Sequence, residues 1–569
     1  MANLDDILKK IGEFGRYQVW LFVLLCLPST SNGCYMMMMI LLAYTPKHRC
    51  KIPGYDNDTW TVQGDYHSSL INKTIPDSED SFYDYDRCHV YRYSGNATDA
   101  IKSRCSAYVY DKEIFDETIV TRGDLVCDQG MKPAHAQVVY YIGVMVGDLF
   151  FGQLSDSIGR SKTLLITSVA LLVSSVGTAF APEFYSFTVL QFIVGASNHG
   201  MFVLVCVLCI ELIGPSRRMV AGVSIHVLFP FGLFWLAGAG YLFRTWWAIQ
   251  LAVGVPCAIY IAYWWLMPES PRWLISQGKY GEAEQVLRKV AEKNGTQYPE
   301  KYDLSQLEQH TPGRMWQLFT NKTLAWRTMI IFLNWFSVAQ IYFGVTIHMK
   351  NLGGNFYFKF IILALVEIPA VALTVFMLTK LGRKKVHAFF MILAGVACLL
   401  TIFTVLLGGT SFEPVTLALC CLGKLGAAAG FSIIYVYSSE LFPTVVRNGG
   451  MGASSCVARF GSMSAPYIAK IGDSVGSMYG QAIPLIVFGL IALAAGSLTL
   501  LLPETWNRRL PDTIQDGIHF GKAFDQNGTV YMGADDEEYI PAKELSSDSN
   551  GTESPEPELP TENKSLIEK

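Results

Sequence analysis

The chain carries one set of charged motifs twice, with a little over two hundred residues between the copies. Each copy lies where a long apolar run ends. A repeat of this size, made of apolar runs separated by charged motifs, predicts two similar halves of six membrane helices, the organisation of many transporters. The repeated pairs are Gly159-Arg160 with Gly382-Arg383, Glu211 with Glu440, and Pro268-Glu269 with Pro503-Glu504.

The composition supports a membrane protein. Hydrophobic residues make up 51% of the 569-residue chain, and charged residues only 16%. A soluble protein of this length would need more charge to cover its surface. The net charge of -4 is small and does not indicate a nucleic-acid partner. We find no metal-ligand cluster, nucleophile elbow or phosphate-binding glycine loop in the sequence, so we expect neither an enzyme nor a bound cofactor.

Apolar runs of about twenty residues predict an all-α membrane protein with twelve transmembrane helices. The two six-helix halves cover residues 17–267 and 326–502. The first and eleventh helices are interrupted most by polar residues. The predicted helices are 17–43, 136–153, 163–181, 186–212, 219–242 and 248–267, then 326–348, 357–380, 386–407, 415–439, 449–470 and 481–502.

Four segments lie outside the predicted helices. Residues 1–16 form a short N-terminal segment, 44–135 a large loop, and 268–325 a linker with surface helices. Residues 503–569 form a tail that we expect to be largely disordered, because it loses its apolar character. Basic residues in the short loops mark the cytoplasmic side, so both termini are predicted inside and the large loop outside. These residues include Arg160, Lys162, Arg217, Arg218, Arg383, Lys384, Lys385 and Arg447.

The large loop combines cysteines with glycosylation sequons. Four cysteines on the oxidising side of a membrane predict two disulfides, and three connectivities are open. Acceptor sequons in the same loop fit an extracellular location. The cysteines are Cys50, Cys88, Cys105 and Cys127, and the sequons are at Asn57, Asn72 and Asn96.

The repeated acids and bases lie at the predicted cytoplasmic ends of helices. We interpret them as gating residues, because carboxylate–guanidinium pairs across the two halves would hold the inner side shut and break when the protein opens inward. The alternative is that they only anchor helix ends at the lipid headgroups. The gating set is Asp156, Arg160, Glu211, Arg217, Arg383, Glu440 and Arg447.

Few polar residues interrupt the apolar helices, and each is a candidate for function. Arg459 lies well inside the eleventh helix and must face water or a partner, since an isolated buried guanidinium is costly. A structural pair with Glu367 is the alternative to a ligand contact, and Lys424 is a second possible partner for Glu367. The further candidates are Asn32, Asn198, His199 and His226.

The motifs resemble those of the major facilitator superfamily. Asp156-Ser157-Ile158-Gly159-Arg160 follows the second helix, with an echo after the eighth. The cysteine-rich loop, the run from Pro268 to Gly278 and the run from Ser439 to Asn448 are similar to the organic cation, organic anion and carnitine transporter family. The resemblance covers the chain to about residue 516 and implies the major facilitator fold and alternating-access transport.

Six aromatic residues coincide with positions that line the substrate cavity in that family. Aromatic faces attract quaternary ammonium groups by about 0.5–2 kcal/mol each when desolvated. Any one of them taken alone is as well explained by packing. The set is Phe202, Phe229, Trp335, Tyr342, Phe431 and Tyr435.

Two positions separate the branches of the family. The cation branch resembles a cavity with Asp where this chain has Arg459, and the anion branch tends to have Lys where it has Val371. One Arg beside an aromatic cluster suits a zwitterion, with the carboxylate on Arg459 and the ammonium against the rings. Ser31-Asn32-Gly33 also looks like the carnitine branch, whereas the fourth helix departs from it around Asn198 to Met201.

The leading hypothesis is a plasma-membrane transporter of organic cations or carnitine-like zwitterions, embedded in the bilayer as a monomeric transport unit. An organic-anion exchanger, favoured by Arg459 and opposed by Val371, is the first alternative. A non-transporting receptor that senses such solutes is the second, and the intact gating motifs in both halves oppose it. Sodium coupling stays open at this stage.

Overall fold

The predicted apolar runs form long helices in the computed structural model. The residues that the structure describes are 4–77, 85–93, 100–214, 217–299, 304, 315–349, 354–407, 412–475, 478–508, 510–511, 513–521, 523–524 and 530–531. In this part of the chain, eleven helices are long and apolar enough to cross a membrane. The eleventh predicted span is a 29-residue helix, Arg447–Val475, whose glycines, serines and Arg459 make it less apolar than the others.

Each half contributes six spans. The N-terminal half contains α2 (Arg16–Leu42), α5 (Lys132–Ile158), α6 (Arg160–Ala179), α7 (Phe184–Leu212), α8 and α9 (Arg218–Ser224 and Phe229–Phe243), and α10 and α11 (Trp246–Gly254 and Tyr263–Leu266). The C-terminal half contains α14 (Lys322–His348), α15 and α16 (Phe356–Leu365 and Glu367–Leu381), α17 (Arg383–Leu407), α18 (Glu413–Leu441), α19 (Arg447–Val475) and α20 (Met478–Thr499).

Three spans are interrupted, and prolines lie near each interruption. The fifth passes through a 3-10 turn at Ile225–Leu228, and the sixth through one at Val255–Ala262. The eighth is interrupted at Val366, three residues before Pro369. Proline has no backbone N–H and clashes with the preceding turn, so a continuous α-helical ladder is lost there.

The two halves meet through α5 with α19 and through α9 with α15. We call the end of the bundle that carries residues 44–131 the loop face, and the opposite end, where the N-terminal segment packs, the termini face. On the loop face, Tyr44 and Phe115 of the N-terminal half contact the Phe356 ring of the C-terminal half at 5.3 and 5.8 Å. The Tyr357 hydroxyl donates to the carbonyl of Gly240 at 2.9 Å. These contacts close the loop face between the halves.

The loop between α2 and α5 forms a small domain. Its short elements are β1 (His48–Cys50), α3 (Asp65–Thr74), β2 (His89–Tyr93), β3 (Ala100–Arg104), β4 (Tyr108–Tyr110) and α4 (Ile119–Arg122), and the antiparallel pairs are β1–β4 and β2–β3. The structure pairs the four cysteines as Cys50–Cys105 and Cys88–Cys127, one of the three connectivities that the sequence leaves open. The sequon residues Asn57 and Asn72 are exposed, whereas Asn96 lies outside the described residues.

A buried charged group organises the first part of this domain. Arg49 donates to both oxygens of Asp58, at 2.9 and 2.6 Å, and His67 Nε2 lies 2.9 Å from Asp58 Oδ1. Burial raises the pKa of Asp58, but the hydrogen bonds from Arg49, from the Ile52 N–H and from His67 outweigh it, so the net pKa is lowered. The carboxylate therefore ties three segments of the loop together, directly beside the Asn57 sequon.

The termini face carries a second, smaller core. Helix α1 (Leu4–Lys10) packs on the linker helices α12 (Pro271–Ser276) and α13 (Tyr280–Asn294), in line with the surface helices predicted for residues 268–325. The buried residues of this smaller core include Ile7, Leu8, Trp273, Leu287 and Val290. The N-terminal segment and the linker thus brace the N-terminal half from outside the bundle.

The first part of the predicted tail is folded. Helix α21 (Ile514–His519) lies against α14, where Arg327 donates to the carbonyls of Gly517 and Phe520, both at 2.8 Å. Strands β5 (Ala523–Phe524) and β6 (Val530–Tyr531) pair beyond it. A helix C-terminus capped by a guanidinium in this way is an ordered element, so the packed part of the chain extends past 503. Residues 532–569 lie outside the described residues.

Candidate functional site

The six predicted aromatic residues and His226 form one connected chain of rings between the halves. From the N-terminal half, Phe202 contacts His226 at 5.6 Å between ring centroids, and His226 contacts Tyr435 of the C-terminal half at 5.8 Å. The Tyr435 ring lies 4.4 Å from Trp335 in an edge-on arrangement.

The chain continues through Phe431 toward the loop face. Phe431 lies 6.2 Å from Trp335 and 6.0 Å from Tyr342, and Tyr342 lies 6.3 Å from Phe229 of the N-terminal half. The structure therefore brings together seven residues that the sequence places on four spans. Edge-on rings at these distances are a favourable aromatic packing, and their faces and edges present an apolar, π-rich surface at the centre of the bundle.

At one end of this aromatic chain lies a charged group that spans the halves. Arg459 Nη2 lies 3.0 Å from His199 Nε2, and His199 Nδ1 lies 2.5 Å from Asp148 Oδ1. Arg459 Nη2 is also 3.8 Å from Asp148 Oδ2. His199 contacts Phe202 at 5.6 Å, which joins this group to the rings. The alternative pairing of Arg459 with Glu367 is wrong, since the guanidinium faces α5 and α7 instead.

Asp148 was not among the predicted site residues. It lies in the middle of α5 within Val-Met-Val-Gly-Asp-Leu-Phe-Phe, and its side chain is 12% exposed. A lone carboxylate inside a transmembrane span is itself a functional signal, so this residue was detectable from the sequence. It also gives the cluster around Arg459 the negative counter-charge that a cation requires.

At the other end of the aromatic chain, Glu367 and Lys424 pair inside the C-terminal half. Lys424 Nζ lies 3.1 Å from Glu367 Oε1, 2.9 Å from Thr346 Oγ1 and 3.1 Å from the centre of the Tyr342 ring. The Tyr342 hydroxyl donates to Glu367 Oε1 at 2.6 Å. The structural pairing of Lys424 with Glu367 considered from the sequence is thus observed, and its ammonium lies where an organic cation would meet an aromatic face.

Asn32, the candidate on α2, reaches this region through a neighbour. Asn198 of α7 donates its amide to Asn32 Oδ1 at 3.0 Å, and both side chains are buried. The close approach of α5 to α7 depends on Gly147, since a Cβ there would lie 2.3 Å from the carbonyl oxygen of Ala196. A larger residue would push apart the two helices that hold Asp148 and His199.

On the termini face, the repeated motifs build two equivalent ion pairs. Arg160 donates to both oxygens of Glu211 at 3.2 Å and lies 3.0 Å from Asp156. Arg383 donates to both oxygens of Glu440 at 3.0 Å. Each pair joins the start of one helix to the end of the next within its own half.

The third repeated residue caps a helix in each half. Glu269 Oε1 accepts from the Arg160 N–H at 2.8 Å, and Glu504 Oε1 accepts from the Arg383 N–H at 2.7 Å. A carboxylate at a helix N-terminus satisfies free N–H groups and complements the helix dipole. The glycine before each helix has a positive φ, +106° at Gly159, and a Cβ there would lie 2.5 Å from the Glu269 carboxylate.

These ion pairs are seen in a structure whose loop face is closed. Pairs across the halves would form when the termini face is shut, so the gating role stays a prediction. The predicted carboxylate–guanidinium pairs are present, but in the described residues they lie within the halves rather than across them. The reason is geometric: each guanidinium reaches the end of the neighbouring helix of the same half, where the capping Glu fixes its backbone. The motifs therefore make each half a rigid unit on the termini face, and rigid units are what a rocking motion requires.

The remaining gating candidates, Arg217 and Arg447, have different surroundings. Arg217 is exposed at the turn before α8. Its neighbour Arg218 donates to Asp5 of α1 at 2.6 and 3.1 Å, and Arg272 pairs with the same carboxylate. Arg447 begins α19 and donates to Thr444 Oγ1 at 3.1 Å. In this structure Arg218, rather than Arg217, pairs with a carboxylate at this turn, and that pair holds α1 in place.

The fold and these motifs define a class of protein. The family model for sugar (and other) transporters matches residues 130–515. The proton:xylose symporter XylE, a major facilitator protein, superimposes with a TM-score of 0.53 at 17% identity, covering 69% of this chain and 90% of its own. A partially occluded inward-open structure of XylE from E. coli superimposes with a TM-score of 0.51, covering 67% and 90%. The fold is therefore that of the major facilitator superfamily, in two six-helix halves as predicted.

Curated relatives narrow the class. The organic cation transporter protein of Drosophila melanogaster is 34% identical over 533 residues, which cover 91% of this chain and 95% of the relative. Organic cation/carnitine transporter 2 of Mus musculus is 33% identical over 538 residues, 90% and 94% of the two chains. Solute carrier family 22 member 16 of Xenopus laevis is 30% identical over 548 residues, 91% and 94%.

The chain belongs to the organic cation, organic anion and carnitine transporter family of the major facilitator superfamily. It is a multi-pass membrane transporter of small molecules and not an enzyme. The resemblance deduced from the sequence motifs is confirmed over nearly the whole chain.

Proposed function

We propose that the protein moves carnitine-like zwitterions or organic cations across the plasma membrane by alternating access, with the central aromatic chain as its binding site. The observation that carries the proposal is the balance of charge along that chain. Two acids, Asp148 and Glu367, and two bases, Arg459 and Lys424, lie at its two ends. A site with no net charge suits a substrate with no net charge, because neither leaves an uncompensated charge in the membrane.

The relatives support the substrate class. Two of the three named above are an organic cation transporter and an organic cation/carnitine transporter. In the proposed complex the substrate carboxylate binds the Arg459 guanidinium through a two-pronged pair. The ammonium group lies against the faces of Trp335, Tyr435 and neighbouring rings, where cation–π attraction contributes about 0.5–2 kcal/mol per ring. Organic-anion exchange is supported by Arg459 alone and opposed by Asp148, which would repel the anion.

The organisation of the two halves supports alternating access. Each half is held together on the termini face by its own ion pair and capping Glu. Aromatic contacts close the loop face between the halves. We propose that these contacts break when the protein opens outward, and that the halves rock as units about the central site.

We further propose that both termini are cytoplasmic, that the disulfide-linked domain is extracellular and that one chain is a complete transport unit. Protease protection of epitope tags at either terminus, compared with sensitivity of the 44–131 domain in intact cells, tests the orientation. Glycan removal at Asn57 and Asn72 reports on the same point.

Uptake of labelled carnitine, tetraethylammonium and the aromatic anion p-aminohippurate, each with and without sodium, tests the function and decides whether transport is coupled to sodium.

Arg459→Ala should reduce carnitine uptake by an amount equivalent to about 2–5 kcal/mol. Tetraethylammonium uptake should fall less, because that substrate has no carboxylate. Arg459→Lys should keep part of the carnitine uptake, since it retains the charge but not the fork. Equal losses for both substrates at matched surface expression would show that Arg459 only joins the halves.

A further inference from the structure

The Asp148 carboxylate uses only one of its two oxygens. Oδ1 is held by His199 at 2.5 Å. Oδ2 is buried without a hydrogen-bond partner among the described residues and lies 3.8 Å from Arg459 Nη2, beyond hydrogen-bond distance. Arg459 Nε is likewise buried without such a partner in the described part of the chain. Buried charged groups are expected to be fully hydrogen-bonded. The Asp148 and Arg459 side chains therefore each have a polar atom left to interact with a ligand.

The arrangement around His199 keeps both charges in place. Arg459 is always a donor, so His199 Nε2 must accept from it, and the ring proton lies on Nδ1, which donates to Asp148. A neutral imidazole then separates a full negative charge from a full positive one. The three residues come from α5, α7 and α19, so the interaction crosses from the N-terminal to the C-terminal half.

We infer that Asp148 is a specificity-determining residue that binds the cationic group of the substrate, and that a zwitterion replaces the Asp148–Arg459 interaction by pairing with both partners. The carboxylate of the substrate pairs with Arg459. Its quaternary ammonium, which has no N–H to donate, keeps its contact with the aromatic rings and forms an ion pair with the free oxygen of Asp148. This inference rests on the proposed function and adds the residue that recognises positive charge, which the aromatic rings alone do not supply.

Substrate size gives the replacement a mechanical effect. In a carnitine-like zwitterion several bonds separate the two charges, so they are farther apart than the 3.8 Å between Asp148 Oδ2 and Arg459 Nη2. Pairing with both ends therefore moves α5 and α19 apart at this level. Because the two helices belong to different halves, binding favours an arrangement of the halves that differs from the ligand-free one.

The inference predicts opposite changes of selectivity for the two neutralised side chains. Asp148→Asn leaves the cluster with an excess positive charge, so uptake of tetraethylammonium relative to p-aminohippurate should fall by roughly 10-fold or more. Arg459→Gln leaves an excess negative charge, so the same ratio should rise. Carnitine uptake should fall in both variants, because each removes one of its two partners.

Two further variants separate charge recognition from folding. The double variant Asp148→Asn/Arg459→Gln has no unpaired charge and should fold as stably as the single variants. Its carnitine uptake should be lost, and the ratio of the two singly charged probes should be close to that of the wild type. His199→Asn keeps both charges and a donor for Asp148, so it should preserve the order of preference among the three substrates. All variants are compared as the full chain in proteoliposomes, with thermal stability measured on the same preparations.

The outcomes are distinguishable. If wild-type protein takes up carnitine and Asp148→Asn leaves the tetraethylammonium to p-aminohippurate ratio unchanged, the role of Asp148 is refuted while the proposed function stands. A ratio in the double variant that shifts as far as in Asp148→Asn would refute it as well, because the shift would then not follow net charge. If wild-type protein takes up neither carnitine nor tetraethylammonium, the proposed function fails and the inference fails with it.

Discussion

Replacing Glu504 by glutamine should destabilise the C-terminal half without touching the central site. The Glu504 carboxylate accepts from four backbone N–H groups: Oε1 from Arg383, Thr505 and Trp506 at 2.7, 2.9 and 3.2 Å, and Oε2 from Lys384 at 3.1 Å. The amide of Gln keeps one accepting oxygen. Its NH2 group faces the Lys384 N–H, and two donors cannot pair.

The expected cost follows from these contacts. The variant loses a charged acceptor for one N–H and the favourable interaction of a negative charge with the start of α17. Helix-cap substitutions cost about 0.5–2 kcal/mol, and the charge–dipole interaction contributes about 0.3–1 kcal/mol. We therefore expect a loss of roughly 1–2 kcal/mol, equivalent to a lowering of Tm by about 2–8 °C for a unit of this size. Glu504→Ala should lose more, since it retains no acceptor.

The repeat supplies a matched comparison. Glu269→Gln removes the equivalent acceptor at the start of α6 in the other half and should cost a similar amount. Glu282→Gln is the surface control. That side chain is 62% exposed, and its contact with Lys279 is a long one, 3.8 Å from Nζ to Oε1. Glu282 lies in the first turn of α13, so this change loses a charge–dipole interaction but no backbone hydrogen bond, and it should cost less than about 1 kcal/mol. Thermal unfolding of the purified full chain measures all three. Equal Tm values for Glu504→Gln and Glu282→Gln would refute the capping argument.

Three further expectations concern the domain on the loop face and the ion pairs. Peptide mapping under non-reducing conditions should recover the two disulfide-linked pairs described above; finding all four cysteines as free thiols would contradict both the bridges and the topology. Glu440→Gln and Asp156→Asn should reduce transport turnover more than equilibrium binding, and a pure loss of affinity at unchanged maximal rate would count against a conformational role. Burial lowers the pKa of His48 to about 4, so the unfolded domain binds a proton that the folded one does not between pH 6.5 and 4. Its stability should then fall by up to about 1.4 kcal/mol per pH unit as the pH drops through that window, and limited proteolysis of the full chain should show the slope disappear in His48→Asn.

The architecture was predictable because its causes are local. Apolar runs near twenty residues require helices in a membrane, where every backbone group must be satisfied within its own segment. The positions of the cysteines fixed the number of disulfides, although the choice of Cys50–Cys105 and Cys88–Cys127 depends on how β1 packs against β4. When two segments lie far apart in the sequence, the residues of either segment alone do not determine whether the two will pair.

The partners of the charged residues were harder to predict for the same reason. Arg459 is a buried base and Glu367 a buried acid of the same C-terminal half, so the sequence alone allows them to pair. In the structure the Arg459 side chain faces α5, and Glu367 pairs with Lys424. The pairing of Arg160 with Glu211 within one half depends on which helix end lies nearest, a property of the packed bundle. Side-chain types identified the participants, and helix packing chose the pairs.

The balance of two acids and two bases along the aromatic chain has a consequence for energetics. Moving one elementary charge through a membrane potential involves about 2.3 kcal/mol per 100 mV. A zwitterion carries none, so the voltage of the cell does no work on it, and its distribution follows its own concentration gradient and that of any co-transported ion. A monovalent cation passing through the same site would be drawn toward the negative side. Asp148 and Arg459, by setting which of these solutes the site accepts, thus also set whether transport responds to voltage.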